Sequence, residues 1–202
     1  MKIAFMFLIA LLSVSFAFAQ DDYHKVEGNV NFSYQRLTEA GGYNDGVGLL
    51  GFDVSLTKNL TRYIGIKGAF SGVFKKQDFS TPGIAPNTIL HYTFKNSLYS
   101  YMGGIKIKDN SKEKRFKPFF HALAGGATFK QAFSGDCPID VLGTCNDLNF
   151  TSTGFSAAVG GGLDLRATKR LSIRVIQADY NPIFVNNTTS NNFRLGVGLV
   201  FH

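Results

Sequence analysis

In the stretch FRLGVGLVF, residues 193–201, apolar side chains occupy every second position: Phe193, Leu195, Val197, Leu199 and Phe201. Between them stand Arg194, two glycines and Val200. A period of two is that of a β-strand, whose successive side chains point to opposite faces. The pattern recurs along the chain. Val26, Gly28, Val30, Phe32 and Tyr34 share one face, and Glu27, Asn29, Asn31, Ser33 and Gln35 the other. Gly48 to Leu56 repeats it with Asp53 and Ser55 on the polar side, and Ile64 to Phe74 with Lys67, Ala69 and Ser71. Leu98 to Lys108 sets Tyr99, Tyr101, Ile105 and Ile107 against Met102, Gly104 and Lys106. PFFHALAGGATF, residues 118–129, is apolar on both faces, so its orientation stays open. Phe155 to Arg166 opposes Ser156, Asp164 and Arg166 to Phe155, Val159 and Leu163. Leu171, Ile173 and Val175 begin a seventh strand whose register is open from IQADY onward, and residues 193–201 make the eighth.

The connections fall into two kinds. TKNLTR, the charged stretch around Asp109 and ATKR are short, whereas 37–46, 75–91, 130–152 and 181–190 are long and polar. Short and long alternate, so all turns lie at one end of an up-and-down antiparallel sheet and all loops at the other.

The first residues, MKIAFMFLIALLSVSFAFA, have a one-charge start, an apolar run and a small-x-small ending at Ala17-Phe18-Ala19. They read as a secretory signal peptide over 1–19, cleaved before Gln20, with one domain over 20–202. Export makes the choice of faces informative. Periodicity alone also fits a water-soluble barrel with its apolar face inward. Tiny residues on the polar face (Ser33, Ser55, Gly65, Ser71, Gly104, Gly160, Gly162) suit a crowded interior instead. Aromatics near strand ends (Tyr34, Tyr63, Phe74, Tyr99, Phe201) suit bilayer interfaces. Hydrocarbon leaves no partner for an open sheet edge, so such strands must close into a ring. The expected fold is all-β: an eight-stranded antiparallel up-and-down transmembrane β-barrel.

With its export signal, its eight alternating segments, KPFFHALAGGATF, SIRVIQADY and the terminal FRLGVGLVF, the chain resembles the small outer-membrane β-barrel proteins of Gram-negative bacteria, the OmpA-like and OmpX-like group. The resemblance implies the outer membrane as location and a structural or surface-interaction role with four outward loops. It implies outer-membrane lipids and the outer-membrane assembly machinery as partners. Phe193, Leu195, Val197, Leu199 and Phe201 would carry the signal read by that machinery, although His202 stands where the family usually ends on an aromatic. A monomer is expected.

Charged residues make up only 17% of the chain, so those on the inward face matter. Asp53 and Lys67 lie equidistant about TKNLTR, and Asp164 and Arg174 about ATKR, so both are expected as interior ion pairs. Glu27 and Lys106 are further inward candidates. An eight-stranded barrel is just wide enough for side chains to fill it. Paired charges therefore favour a filled interior over the alternative, a narrow porin-like channel. Cys137 and Cys145, the only cysteines, flank PIDVLGT in the longest loop, and an exported chain lives where a disulfide between them persists. Two Cys without a nearby His make a poor metal site, and no cofactor is expected. A lipid-modifying enzyme, the remaining alternative, would need Ser or Asp beside a His at the bilayer-facing rim. No His-x-Ser or Gly-x-Ser-x-Gly motif occurs, so no catalytic residue is assigned. The net charge is +7, and segments 57–62, 108–117 and 166–170 hold ten Lys/Arg against two Asp/Glu. That clustering on turns, without a binding motif, excludes nucleic acid and fits anionic lipid head groups or a periplasmic polymer, or simply solvated turns, equally.

Overall fold

The computed structural model describes residues 23–38, 46–82, 89–135, 148–185 and 188–202. Its strands are β1 Val26–Leu37, β2 Val47–Asn59, β3 Ile64–Pro82, β4 Ile89–Lys108, β5 Phe116–Gly135, β6 Leu148–Arg166, β7 Leu171–Tyr180, β8 Ile183–Val185, β9 Thr188–Ser190 and β10 Phe193–Phe201. Strands β1 to β7 pair antiparallel with their neighbours in sequence, β7 pairs with β10, and β10 pairs with β1. The result is a closed ring of eight strands. Strands β8 and β9 form a short hairpin resting on β6. The closing seam runs from Gly28 opposite Phe201 to Arg36 opposite Phe193.

Closure satisfies the backbone in a medium without water. The apolar row of β10 faces outward: Phe193 is 61% exposed and Phe201 49%. Nine residues at about 3.3 Å each suffice to cross a bilayer when tilted. Two of the tight turns are built alike. Thr61 Oγ1 accepts the N–H groups of Tyr63 and Ile64, and Thr168 Oγ1 those of Arg170 and Leu171, so each Thr folds the chain back on itself.

The structure orients the two segments whose faces periodicity does not distinguish. In β5, Lys117, Phe119, His121, Leu123 and Ala127 point inward and Phe120 outward. In β7 a bulge lets Val175 and Ile176 both face outward, which turns Gln177 and Asp179 inward. An uninterrupted alternation would have placed them on the lipid side.

The loops expected over 75–91, 130–152 and 181–190 require correction. Strand β3 continues to Pro82, β4 begins at Ile89, β5 reaches Gly135 and β6 begins at Leu148. Residues 181–190 contain the β8–β9 hairpin. Strands β3 to β6 are 19–20 residues long against 12 for β1 and 13 for β2. One wall of the barrel therefore stands far above the other at the loop end.

Candidate functional site: the lumenal network and the projecting sheet

The inward row of β1 is Glu27, Asn29, Asn31, Ser33 and Gln35, all buried. Such groups persist away from water only when they hydrogen-bond one another. At the turn end, Glu27 forms ion pairs with Lys106 and with Lys108, the latter at 2.8 Å. Lys108 also reaches Asp164 at 2.9 Å. Arg174 Nε donates to Asp164 Oδ1 at 2.8 Å, and Arg174 Nη1 to Gln177 Oε1 at 2.8 Å. Gln177 Nε2 donates to Asp179 Oδ2 at 2.7 Å, an oxygen that also accepts from Arg194 Nη2 at 2.7 Å. Arg194 Nη1 reaches Ser71 Oγ at 3.2 Å and lies 3.7 Å from Asp53. Asp53 accepts from Asn31 at 2.9 Å, and His121 Nε2 lies 3.0 Å from Asp179. This one network touches every strand of the ring, from Glu27 on β1 to Arg194 on β10.

Packing around the network is close. Arg174 lies over the Phe119 ring at 4.2 Å. A methyl group at Gly160 would run into the side chain and backbone of Asp179, and one at Gly162 would meet the Phe119 ring at 2.9 Å. These two glycines leave the room that the large inward residues of β5 and β7 occupy. A buried cluster of Ala69, Met102, Leu123 and Ala158 fills another part of the lumen. Above the network, Leu37, Val47, Leu49, Val73, Leu98, Ala127 and Ile183 form an apolar layer, with Phe129 and Val185 packed against it.

Asp164 and Arg174 stand side by side, opposite one another in register. Asp53 and Lys67 do not, and this expected pair is corrected. The turn centres on Thr61–Tyr63 rather than within TKNLTR's middle, so Asp53 faces Ser71 and Lys67 faces Thr57. Asp53 is held by Asn31 and Arg194 instead, while Lys67 Nζ is buried without a hydrogen-bond partner. Lys117 Nζ is likewise buried and unpartnered, since the carboxylate opposite it, Asp164, is already engaged. Residues 1–19, and Cys137 and Cys145, lie outside the described residues.

The turn end is closed by a second set of contacts. His202 Nε2 lies 2.8 Å from Ser172 Oγ, and its ring stacks on His24 at 4.4 Å. Asp109 is bound by Arg62 Nε at 3.1 Å, by Lys114 at 2.8 Å and by the Ser111 N–H at 3.1 Å. The Arg62 guanidinium holds the Asp109 carboxyl well below the usual carboxylate range.

At the loop end the faces exchange character. The outer surface is apolar up to a patch of Phe52, Phe70, Phe74 and Tyr99, whose ring centroids lie 5.6–6.4 Å apart. Beyond it, the outward positions are Lys76, Asp78 and Ser80 on β3 and His91, Thr93 and Lys95 on β4. The inward positions become Phe79, Tyr92, Phe94 and Phe133, packed ring on ring at 5.2–6.0 Å. Ser80 Oγ lies 2.9 Å from His91 Nδ1 on the outer face, six residues beyond Phe74. The nearby Asp78 carboxylate is occupied by Thr93 at 2.6 Å and Lys76 at 3.1 Å.

Residues 4–201 match the family model described as the outer membrane protein beta-barrel domain. The chain belongs to this family. It is an outer-membrane β-barrel protein of the Gram-negative type, with its turn end and loop end on opposite sides of the bilayer. No curated protein sequence matches it. Its fold is similar to that of Ail, the attachment invasion locus protein of Yersinia pestis, solved in complex with the heparin analogue sucrose octasulfate. The identity there is 16%, the TM-score 0.56, and the match covers 88% of this chain and 100% of Ail's. Neisserial surface protein A matches with 13% identity and a TM-score of 0.50, over 90% of this chain and 99% of its own. OprG from Pseudomonas aeruginosa matches with 10% identity and a TM-score of 0.50, over 91% and 98%. At these identities the likeness is one of fold.

Proposed function

We propose that this outer-membrane barrel is a non-conducting, non-enzymatic surface-interaction protein that works through the wall formed by β3 to β6. The observation that carries this reading is the exchange of faces along that wall. Inside the bilayer its outward side chains are apolar, and its inward ones combine members of the polar network with Val73, Leu98, Met102 and Leu123. Above the bilayer the order reverses, which is the arrangement of a sheet that stands in water and gathers aromatic rings on its concave side. Asn96 Oδ1 and Gln77 Oε1 lie on that same concave side, buried without hydrogen-bond partners. Flat rings suit a sugar chain, whose own rings stack on aromatics. Ail's complex with a sulfated sugar is in keeping with a ligand of that class.

A filled lumen supports the non-conducting part of the reading, because the ion-pair network and the apolar layer above it follow one another along the barrel axis. Non-enzymatic action is supported by the engaged state of the Asp78 carboxylate, which Thr93 and Lys76 occupy. Binding of the detergent-folded barrel to an array of immobilised saccharides tests the role. Retention of a saccharide class by the wild type, lost in Tyr92→Ser with Phe94→Ser while heat-modifiable migration persists, is the expected result. Equal retention by both proteins, or by neither, contradicts it.

A further inference from the structure

On the outer face, the row immediately above the aromatic patch carries Lys76 on β3, Lys95 on β4 and Lys130 on β5. Lys76 and Lys95 are register partners. Lys130 is opposite Ser97, two residues along β4 from Lys95 and on the same face. Like charges directly opposite across strands are destabilising unless something answers them. Asp78 answers Lys76 through an ion pair at 3.1 Å and acts on Lys95 from farther off, one carboxylate against three cations. Lys130 Nζ lies 5.9 Å from the centre of the Tyr99 ring, so its stem runs along the aromatic patch and its ammonium sits just above it. Across the shorter strands the outward row reads Gly48 on β2, Arg36 on β1, Phe193 on β10 and Tyr180 on β7, register partners in turn. The cations are thus gathered on three consecutive strands of the tall wall.

We propose that Lys76, Lys95 and Lys130 form a docking site for the phosphate groups of a lipid in the outward-facing leaflet. The match has two parts. Ammonium groups stand at head-group height, and Phe70, Phe74 and Tyr99 lie directly below, where that lipid's acyl chains run. A free anion would use the first part alone. The site is independent of the saccharide reading, since it lies on the opposite face of the wall and rests on the outer-membrane location. Its consequence is mechanical: one anchored lipid fixes the height of the wall above the bilayer.

The test uses the full barrel in zwitterionic micelles, titrated with bis-phosphorylated lipid A and followed by native mass spectrometry of the retained lipid. Parallel titrations use dephosphorylated lipid A and inorganic phosphate. The wild type is expected to retain the phosphorylated lipid. Each lysine changed to Gln should weaken retention about fivefold, at about 1 kcal/mol per surface cation. The triple change K76Q/K95Q/K130Q should all but abolish it, and added salt should weaken the wild type in the same direction. A turn-end control, K58Q/K169Q/R170Q, should retain the lipid as the wild type does. If the triple variant fails to fold, Lys95→Gln alone still reads the fivefold loss. Equal retention by wild type and the Lys variants overturns the site. Equal retention of dephosphorylated lipid overturns the phosphate contact, and equally tight binding of inorganic phosphate overturns the lipid as occupant.

Discussion

Arg194 on β10 donates to Asp179 on β7 through Nη2 at 2.7 Å and Nε at 3.0 Å, with both side chains buried. The pair joins the last strand to its neighbour, and through Asp53 and Ser71 it reaches β2 and β3. Removing one partner of a buried pair typically costs about 3–5 kcal/mol, because the other is left uncompensated. Arg194→Met is expected to fall in this range in urea unfolding of the lipid-embedded barrel. The double change with Asp179→Asn should cost less than the sum of the single ones. Additive losses contradict a coupled network.

Lys67 and Lys108 are both buried cations, yet they should respond oppositely. Lys108 bridges Glu27 and Asp164, so Lys108→Met should cost about 3–5 kcal/mol. Lys67 Nζ has no hydrogen bond to lose, so Lys67→Met should leave stability within about 1 kcal/mol of wild type or raise it. Equal losses in the two variants would show that Lys67 is paired after all.

Much of this network was legible from parity alone. Arg194 sits between Phe193 and Leu195, so an outward apolar row turns it inward. Asp179 was not legible, because the bulge at Val175 and Ile176 reverses the faces after it. The pairing of Asp53 with Lys67 failed because the turn lies about two residues later than its polar stretch implies. Periodicity assigns a side chain to a face, whereas the partner it finds across a lumen depends on register and strand tilt around the ring. The projecting wall hides from periodicity because its rows of Phe79, Tyr92, Phe94 and Phe133 lie on the face that is polar lower down.

At the turn end, burial and the adjacent charges of His202 and Lys117 lower His24 from 6.5 to about 4. The unfolded chain takes up this proton near 6.5, and the folded chain holds it off until about 4. Acidification across that window therefore favours unfolding, with no further loss from this group below it. The unfolding midpoint of His24→Phe, which keeps a ring on His202, should fall less steeply between these pH values than that of the wild type. Parallel curves would contradict the assignment.

Phe201 and His202 face different surroundings at the end of the last strand. Phe201 faces lipid, and His202 turns to Ser172 and Glu27. Phe201→Ala is expected to lower the yield of assembled barrel in cells, and His202→Ala to lower its stability after assembly. Equal yields for the two would count against Phe201 as part of the assembly signal.

We also propose that Cys137 and Cys145 are bridged in the exported protein. Thiol labelling should require reductant, and the Cys→Ser pair should keep heat-modifiable migration. Full labelling without reductant excludes the bridge.

A lumen filled by one network touching all eight strands should block ion flow, which conductance in a planar bilayer reads. Porins leave an aqueous channel only at about 16–18 strands. The wild-type barrel should therefore show no large, steady conductance, and Asp179→Asn with Arg194→Met should raise it if anything does. A stable open channel in the wild type would contradict the filled lumen and return the protein to the small-solute channels.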